Sequence, residues 1–175
     1  HRDLRRQRQM CIRDRHKANW LEDAAAGRRG FTFGITESAH GSDATHMETS
    51  GVRDGDDWIL NGEKSWNTGI HKATHAMVMA RTDGGPGDGH GITAFLVPTD
   101  SPGFKVEELL WTFNMPTDHG RFTMKDVRVP HSSIFGEEGR GLQVVQHFFN
   151  ENRIRQAASS LGAAQFCIDE SIEYA

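Results

Sequence analysis

The apolar pattern of this chain changes period at Gly139-Arg140-Gly141, and that change constrains its fold more than any other feature. Upstream, apolar residues come in short runs broken by turn residues. Phe31, Phe33 and Ile35 alternate with Thr32, Gly34 and Thr36, the period of two that places neighbouring side chains on opposite faces of a strand. Downstream, Leu142, Val145, Phe149, Ala157, Leu161, Ala164, Ile168 and Ile172 follow steps built of threes and fours, which line one side of a helix. The chain is therefore read as α+β: an antiparallel β-barrel or sandwich, followed by one long helix from about Gly141 to the end.

The strand reading covers Phe31 to Thr36, Trp58 to Leu60, Glu63 to Trp66, Thr74 to Arg81, Gly91 to Val97, Phe104 to Trp111 and Arg121 to Val129, with Pro130 closing the last. Asn61-Gly62 between two strand-like runs predicts a hairpin turn, because both positions tolerate positive φ. Asn19 to Ala26 predicts a short helix with Asn19 as N-cap and Gly27 as its stop. The Gly/Asp/Pro run from Asp83 to His90 predicts an exposed loop. A solitary long helix leaves its apolar stripe wet. Together with a mean hydropathy of -0.61, this implies that a cofactor, a partner or further chain covers it.

Charge is uneven. His1 to Lys17 carries seven Lys/Arg and two Asp, whereas the whole chain of 175 residues is at -4. The basic arm lacks the Ser-rich, acid-poor texture of a transit peptide and has no aromatics for stacking on bases, so no nucleic-acid partner is expected. Residues 1–16 are read as an extraneous segment, and a chain starting at His1 as a piece of a longer protein. No apolar run approaches the ~20 residues of a membrane span. Two cysteines, Cys11 and Cys167, exclude a disulfide scaffold and make a reduced, intracellular setting the default.

Candidate sites are few. His71 and His75 are four apart but lack acidic or Cys companions at zinc spacing, so no metal is expected. No Gly-x-Ser-x-Gly elbow is present. Gly84-Gly85-Pro86-Gly87-Asp88-Gly89 has no following helix or Lys to make a phosphate cradle. Glu37-Ser38-Ala39-His40-Gly41-Ser42-Asp43 sets small residues between two carboxylates, after an apolar strand. It suits either a ligand approaching the backbone or an ordinary Asx/Ser turn. Trp66-Asn67-Thr68-Gly69 presents an aromatic plane and then polar groups, which either wall a flat ring or end a hairpin.

These segments together resemble the acyl-CoA dehydrogenase family. The resemblance is carried by Phe33-Gly34-Ile35-Thr36-Glu37 with Gly41-Ser42-Asp43, by Leu60 to Gly69, by Gly91 to Gly103, by Asp126 to Pro130, and by a helix containing Asn150, Arg153, Gly162, Asp169 and Tyr174-Ala175. It spans residues 17 to 175. Ser38 stands where the family commonly has Pro, His40 where a small residue is usual, and Asn150 where many members have Asp. Asn114 to His119 is unlike the short- and medium-chain members.

The resemblance implies the end of an N-terminal helical domain (17–30), a middle β-barrel domain (31–135) and the first helix of a C-terminal four-helix bundle (136–175). It implies FAD between the β-domain and the bundle, and an acyl-CoA thioester stacked on the flavin. Phe33, Ile35 and Thr36 would line the isoalloxazine, with Gly41, Trp66, Asn67 and Thr68 in the same cofactor site. Trp66 and Thr68 would sit near N5, Ser42 against FAD or the pantetheine arm, and Asn150 and Arg153 at the CoA portion. Most members place the Glu base downstream; a minority place it just before the Arg, where this chain has Asn152, with Glu151 about 100° round the helix. No catalytic residue is assigned. An electron-transferring flavoprotein as acceptor, a homo-dimer or homo-tetramer, and a bacterial cytoplasmic, mitochondrial or peroxisomal setting complete the expectation. A same-fold flavin oxidase or monooxygenase, or a non-catalytic binding module, are the alternatives.

Overall fold

A computed structural model of the chain describes Asp14, residues 17–112 and residues 115–175. The basic segment 1–16 thus lies almost wholly outside the described residues. The chain divides after Leu142 into two units.

The first unit opens with a π-helical turn, Lys17–Leu21, and a four-residue helix α1, Glu22–Ala25. The expected Asn19-capped helix is corrected here: Asn19 falls inside the π turn, and α1 has no side-chain cap. Gly27, at φ 71, ends it as expected. Asp23, in the first turn, instead holds Arg28 and Arg29 at 2.8 and 3.0 Å.

Among the described residues seven strands follow: β1 Phe31–Gly34, β2 Ser50–Asp54, β3 Asp57–Thr68, β4 His75–Arg81, β5 Ile92–Pro98, β6 Phe104–Thr112 and β7 Met115–Pro130. They form one sheet in the order β1-β4-β2-β3-β7-β6, with β5 also paired to β4. The sheet is mixed rather than purely antiparallel. β1 runs parallel to β4 from Phe31↔His75 to Gly34↔Val78, because the chain between them makes a crossover long enough for parallel pairing. The remaining ladders are antiparallel except for the single Ser50↔Arg81 pair. Trp58, Leu60, Val78, Phe95, Val97, Phe122, Val127 and Val129 fill the core; each such side chain contributes about 1.5–3 kcal/mol by leaving water. β5 is buried at six successive positions, so its unbroken apolar run reflects burial on both faces.

The hairpin expected at Asn61-Gly62 does not form. β3 runs straight through these residues, and the turn lies at Gly55, φ 64, between β2 and β3. The signal has another use. Asn61 exchanges hydrogen bonds with Asp126 across β7: Asn61 Nδ2 donates to Asp126 Oδ1 at 3.2 Å, and Asp126 N–H to Asn61 Oδ1 at 2.8 Å. Gly62 sits at φ 142, and a Cβ there would lie 2.7 Å from the Thr49 Cα.

One charged pair is locked into this unit. Lys64 on β3 is fully buried, and its Nζ lies 2.8 Å from Glu37 Oε1, beyond the end of β1. Nζ also donates to the Ile35 carbonyl at 3.2 Å. The Glu37 carboxylate accepts the N–H groups of Glu48 and Thr49 at 2.6 and 2.9 Å. Burial pulls the Lys64 ammonium down to about 8, against the opposing field of Glu37. Burial alone would push Glu37 up; the Lys64 ammonium and the donors from Thr49 and Glu48 outweigh it and hold the carboxyl below its ordinary 4.5.

The second unit is the rest of helix α2, which spans Gly141–Tyr174 as the period change predicts, about 51 Å at 1.5 Å per residue. Its first residue, Gly141, is pressed against β5: a Cβ there would meet Ala94 N at 2.8 Å. Of the stripe anticipated from the sequence, Val145 is buried and Leu142 and Phe149 are half-buried, whereas Leu161, Ile168 and Ile172 are exposed, so only its later part is wet.

Removing one member of the Lys64–Glu37 pair strands the other. Lys64→Met is expected to cost about 3–5 kcal/mol, measured as the loss in denaturant unfolding free energy. Adding Glu37→Gln should recover part of that by removing the stranded charge, although the amide keeps only one of the two oxygens that accept from Glu48 and Thr49. The acid limb has a definite sign. Glu37 is depressed in the fold, so its contribution is present above pH 4.5 and is lost as pH falls through the lowered value. The Glu37→Gln chain should therefore show a flatter loss of stability below pH 4.5 than the parent.

Candidate functional site

Between Lys64↔Phe122 and Asn67↔Gly120, β3 carries one more residue than β7. The extra residue is a β-bulge, the device that re-aims side chains at the end of a ladder. Its mark is in the burial: Lys64 and Ser65 are both buried in succession, after which Trp66 is exposed, Asn67 buried and Thr68 exposed. Trp66 takes φ 63, a conformation that a bulky residue adopts only where its surroundings force it. With half its surface exposed (51%), the indole itself is not what holds it there.

The forcing comes from the chain beyond β1. Ser65 N–H donates to the Thr36 carbonyl at 2.8 Å, Ser38 N–H to Glu63 Oε1 at 3.1 Å, and the Ser38 and Ser65 hydroxyls are 3.1 Å apart. At the other end Thr32 Oγ1 donates to the Thr68 carbonyl at 2.8 Å. Gly34 lies between: a Cβ there would meet Phe122, Lys64 and Asn67 at 3.1–3.3 Å. β1 with its extension and the bulged end of β3 are thereby fastened side by side. Phe33, Ile35, Thr36, Trp66, Asn67 and Thr68 thus lie on adjoining stretches of chain, whereas Gly41 and Ser42, grouped with them in the sequence reading, lie in the loop beyond.

Their roles in this patch differ. Trp66 and Thr68, two apart and both exposed, share one face of the strand. Thr36 and Phe33 are half-buried, whereas the Ile35 and Asn67 side chains are buried. Asn67 Nδ2 donates to the Gly120 carbonyl at 3.0 Å, and its Oδ1 has no partner among the described residues. Gly41 and Ser42 are exposed in the loop after the Glu37–His40 turn, whose ends exchange backbone hydrogen bonds at 3.1 and 3.2 Å. Asp43 next caps a short 3₁₀ turn, Ala44–His46, by accepting Thr45 N–H at 3.1 Å. Asn150 and Arg153 belong to the other unit, where they pair with each other: Arg153 donates to Asn150 Oδ1 at 3.2 Å. Asn152 accepts from Arg155 at 3.2 Å.

Two participants went unread in the sequence. The first is the Glu37–Lys64 pair; counting by twos from Trp58 and Leu60 lands Lys64 on the inner face, so a signal was there. The second is His119, whose Nδ1 lies 2.9 Å from Thr68 Oγ1; nothing local in the sequence connects it to Thr68. The Gly84–Gly89 run is a turn closed by Asp88, which accepts Gly85 N–H at 2.8 Å. A depression of about 310 Å³ is lined by Glu37, Glu48, Thr49, Gly62, Glu63 and Thr123, among others. None of the ligand candidates lines it, and its carboxylates do not suit an anionic ligand. Among the described residues, no group of three His, Cys, Asp or Glu is placed to hold a metal, and no helix is long and apolar enough to cross a membrane.

The middle-domain model of acyl-CoA dehydrogenases matches residues 32–127, over half of the chain, and the C-terminal domain model matches residues 139–175. The chain belongs to the acyl-CoA dehydrogenase family. Human mitochondrial short-chain specific acyl-CoA dehydrogenase is 35% identical over 162 residues, covering 91% of this chain and 39% of the human protein. The crystal structure of an acyl-CoA dehydrogenase from Geobacillus kaustophilus superposes with a TM-score of 0.69 at 32% identity, over 76% of this chain and 36% of that one. A glutaryl-CoA dehydrogenase from Mycobacterium smegmatis, solved in complex with FADH2, gives a TM-score of 0.62 at 39% identity, over 71% and 31% of the two chains. The chain thus spans about two fifths of the length of the curated relatives it matches. Within the family setting, Ser38 gains a physical reading: a Pro at this position has no N–H and could not make the bond to Glu63.

The strain at Trp66 gives a test of what the indole is for. Trp66→Gly removes an exposed side chain and relieves a left-handed residue, so the unfolding free energy should hold or rise by up to about 1 kcal/mol. Binding of any flat ligand at this face should fall in the same variant, measured by titration. A loss of several kcal/mol in stability would show that the indole supports the fold instead.

Proposed function

We propose that the chain is part of an FAD-dependent acyl-CoA dehydrogenase that converts an acyl-CoA thioester to its enoyl-CoA. The observation that carries this reading is the face made by Trp66 and Thr68 at the bulge. An exposed indole plane stands beside a hydroxyl on the same side of the strand, with Thr36 tied alongside through Ser65. A flat apolar wall with hydroxyls at its margin suits a planar heteroaromatic ring that is polar along its edges. The chemistry of the residues present therefore fits isoalloxazine.

In this reading Trp66 and Thr68 meet the ring near its N5 edge. Phe33, Ile35, Thr36, Gly41 and Asn67 complete the cofactor side, Ile35 and Asn67 through the backbone they hold in place. Ser42 reaches FAD or the pantetheine arm. Asn150 and Arg153, three apart on α2 and so on one face, meet the CoA portion, where the guanidinium complements phosphate charge. Bound FAD supplies the hydride acceptor; the protein supplies placement and polarisation. Asn152, an amide, has no useful basicity, and the proton-abstracting Glu is assigned to the part of the protein beyond this chain. The domain reading of 17–30, 31–135 and 136–175, an electron-transferring flavoprotein as acceptor, and a homo-dimer or homo-tetramer belong to the same proposal. So does a bacterial cytoplasmic, mitochondrial or peroxisomal setting.

The decisive experiment separates the two ends of the substrate–cofactor pair in the full-length enzyme. Arg153→Ala removes a charge-assisted contact and should raise KM roughly ten- to hundred-fold, with the flavin spectrum nearly unchanged. Thr68→Val should do the reverse, altering the visible spectrum of bound FAD while CoA affinity holds. The opposite pattern would overturn the placement. The 175-residue chain alone should show no acyl-CoA oxidation, since a missing general base typically costs about 10²- to 10⁴-fold.

A further inference from the structure

Thr68 and His119 are register partners across β3 and β7, and the Thr68 hydroxyl meets the His119 ring at Nδ1, 2.9 Å away. The Asp118 carboxylate stands 3.6 Å from the same nitrogen. The segment is held by its backbone: Gly69 N–H donates to the Asp118 carbonyl at 2.7 Å, and Gly120, the next residue along, tolerates no Cβ, which would meet Ile70 at 2.5 Å. His119 is thus fixed beside Thr68 by two close approaches on either side of it.

A threonine hydroxyl has one proton and two lone pairs and turns to suit its partners. A neutral imidazole holds its proton on one nitrogen, chosen by what faces each. The carboxylate beside Nδ1 favours the proton there, so His119 donates and Thr68 Oγ1 accepts. That leaves the Thr68 proton directed away from His119, out over the face it shares with Trp66. We propose that His119 is a positioning residue: by donating from Nδ1 to Thr68 Oγ1, it turns the Thr68 hydroxyl proton toward an acceptor atom at the edge of the bound ring. The inference rests on the reading of this face as the FAD site and assigns a role to a residue outside the family motifs recognised in the sequence. Without His119 the hydroxyl turns freely and spends part of its time presenting lone pairs. A donor held at the ring edge meets the oxidised and the reduced ring differently, because the edge atom that takes the hydride gains a hydrogen, so its loss shifts the reduction potential.

The test uses the full-length, FAD-loaded protein and compares the parent with His119→Leu, His119→Asn and Thr68→Val. The readouts are the reduction potential by spectroelectrochemical titration, the visible spectrum and the thermal unfolding midpoint. His119→Leu is expected to change the equilibrium constant for two-electron reduction by about three- to tenfold, with tenfold corresponding to about 30 mV, while the unfolding midpoint holds. His119→Asn places an amide N–H near the position of Nδ1 and should recover most of the potential. Thr68→Val should shift it as His119→Leu does. If Thr68→Val shifts the potential and His119→Leu does not, the role of His119 is overturned and the FAD reading stands. If Leu and Asn shift it alike, His119 acts only as packing, and the inference is again overturned. If none of the three variants shifts potential or spectrum at full FAD occupancy, the ring lies elsewhere and the reading of this face is what fails.

Discussion

The buried contact between Lys64 and Glu37 holds the two halves of the candidate site in one place. Glu37 closes the segment that leaves β1, and Lys64 immediately precedes the bulge in β3. The 2.8 Å contact between them fixes where Thr36 lies beside Ser65, and so where the chain must turn to put Trp66 outside. An ion pair inside a protein is poor value as stability, since desolvating both charges roughly cancels their attraction. What this pair supplies is register. Glu37 satisfies two backbone N–H groups of the chain leading into β2, and Lys64 takes the Ile35 carbonyl. Three separate segments are referred to one carboxylate and one ammonium, with no freedom to slide.

From that anchor the geometry of the face follows by steric necessity. The chain next to Lys64 must pass Gly34 at contact distance and still pair with Gly120 on β7. One residue too many for the ladder is accommodated by the bulge, and Trp66 bears the cost in its backbone. Strain of about 1–3 kcal/mol at such a residue persists only where the surroundings over-determine it, and here the hydrogen bonds of Ser65, Ser38 and Thr32 do so. The exposed indole is thus presented by a rigid frame rather than by its own packing.

Much of this was legible in the amino-acid order, for a physical reason in each case. The helix α2 announces itself by its period, and the residues that meet at the bulge announce themselves as a family pattern. What escaped reading depends on distant partners. Asn61-Gly62 is a turn by local preference, yet Asp126, 65 residues away, and the close approach of Thr49 turn it into a mid-strand irregularity. β2, Ser50-Gly51-Val52-Arg53-Asp54, carries almost no apolar signal, because its buried residue is a glycine packed under Leu60, Thr82 and Phe95. Alternation also says nothing about direction, so the parallel pairing of β1 with β4 is invisible to it. His119 meets Thr68 only because β7 is laid against β3.

That last ladder has a consequence in time. The Lys64–Glu37 pair closes over only 27 residues, whereas Arg128 reaches Asp57 across 71. A chain emerging from the ribosome at about 5–20 residues per second would wait roughly 4–14 s between making Asp57 and making the Arg128 that faces it. During that interval β3 is an open edge, with backbone N–H and C=O groups on offer to any other strand. Both partners of the Lys64–Glu37 contact exist for most of that interval, whereas Phe122, which faces Lys64 across the ladder, does not. In a newly made chain, the outer edge of β3 is therefore the part of this sheet that waits longest for its own partner.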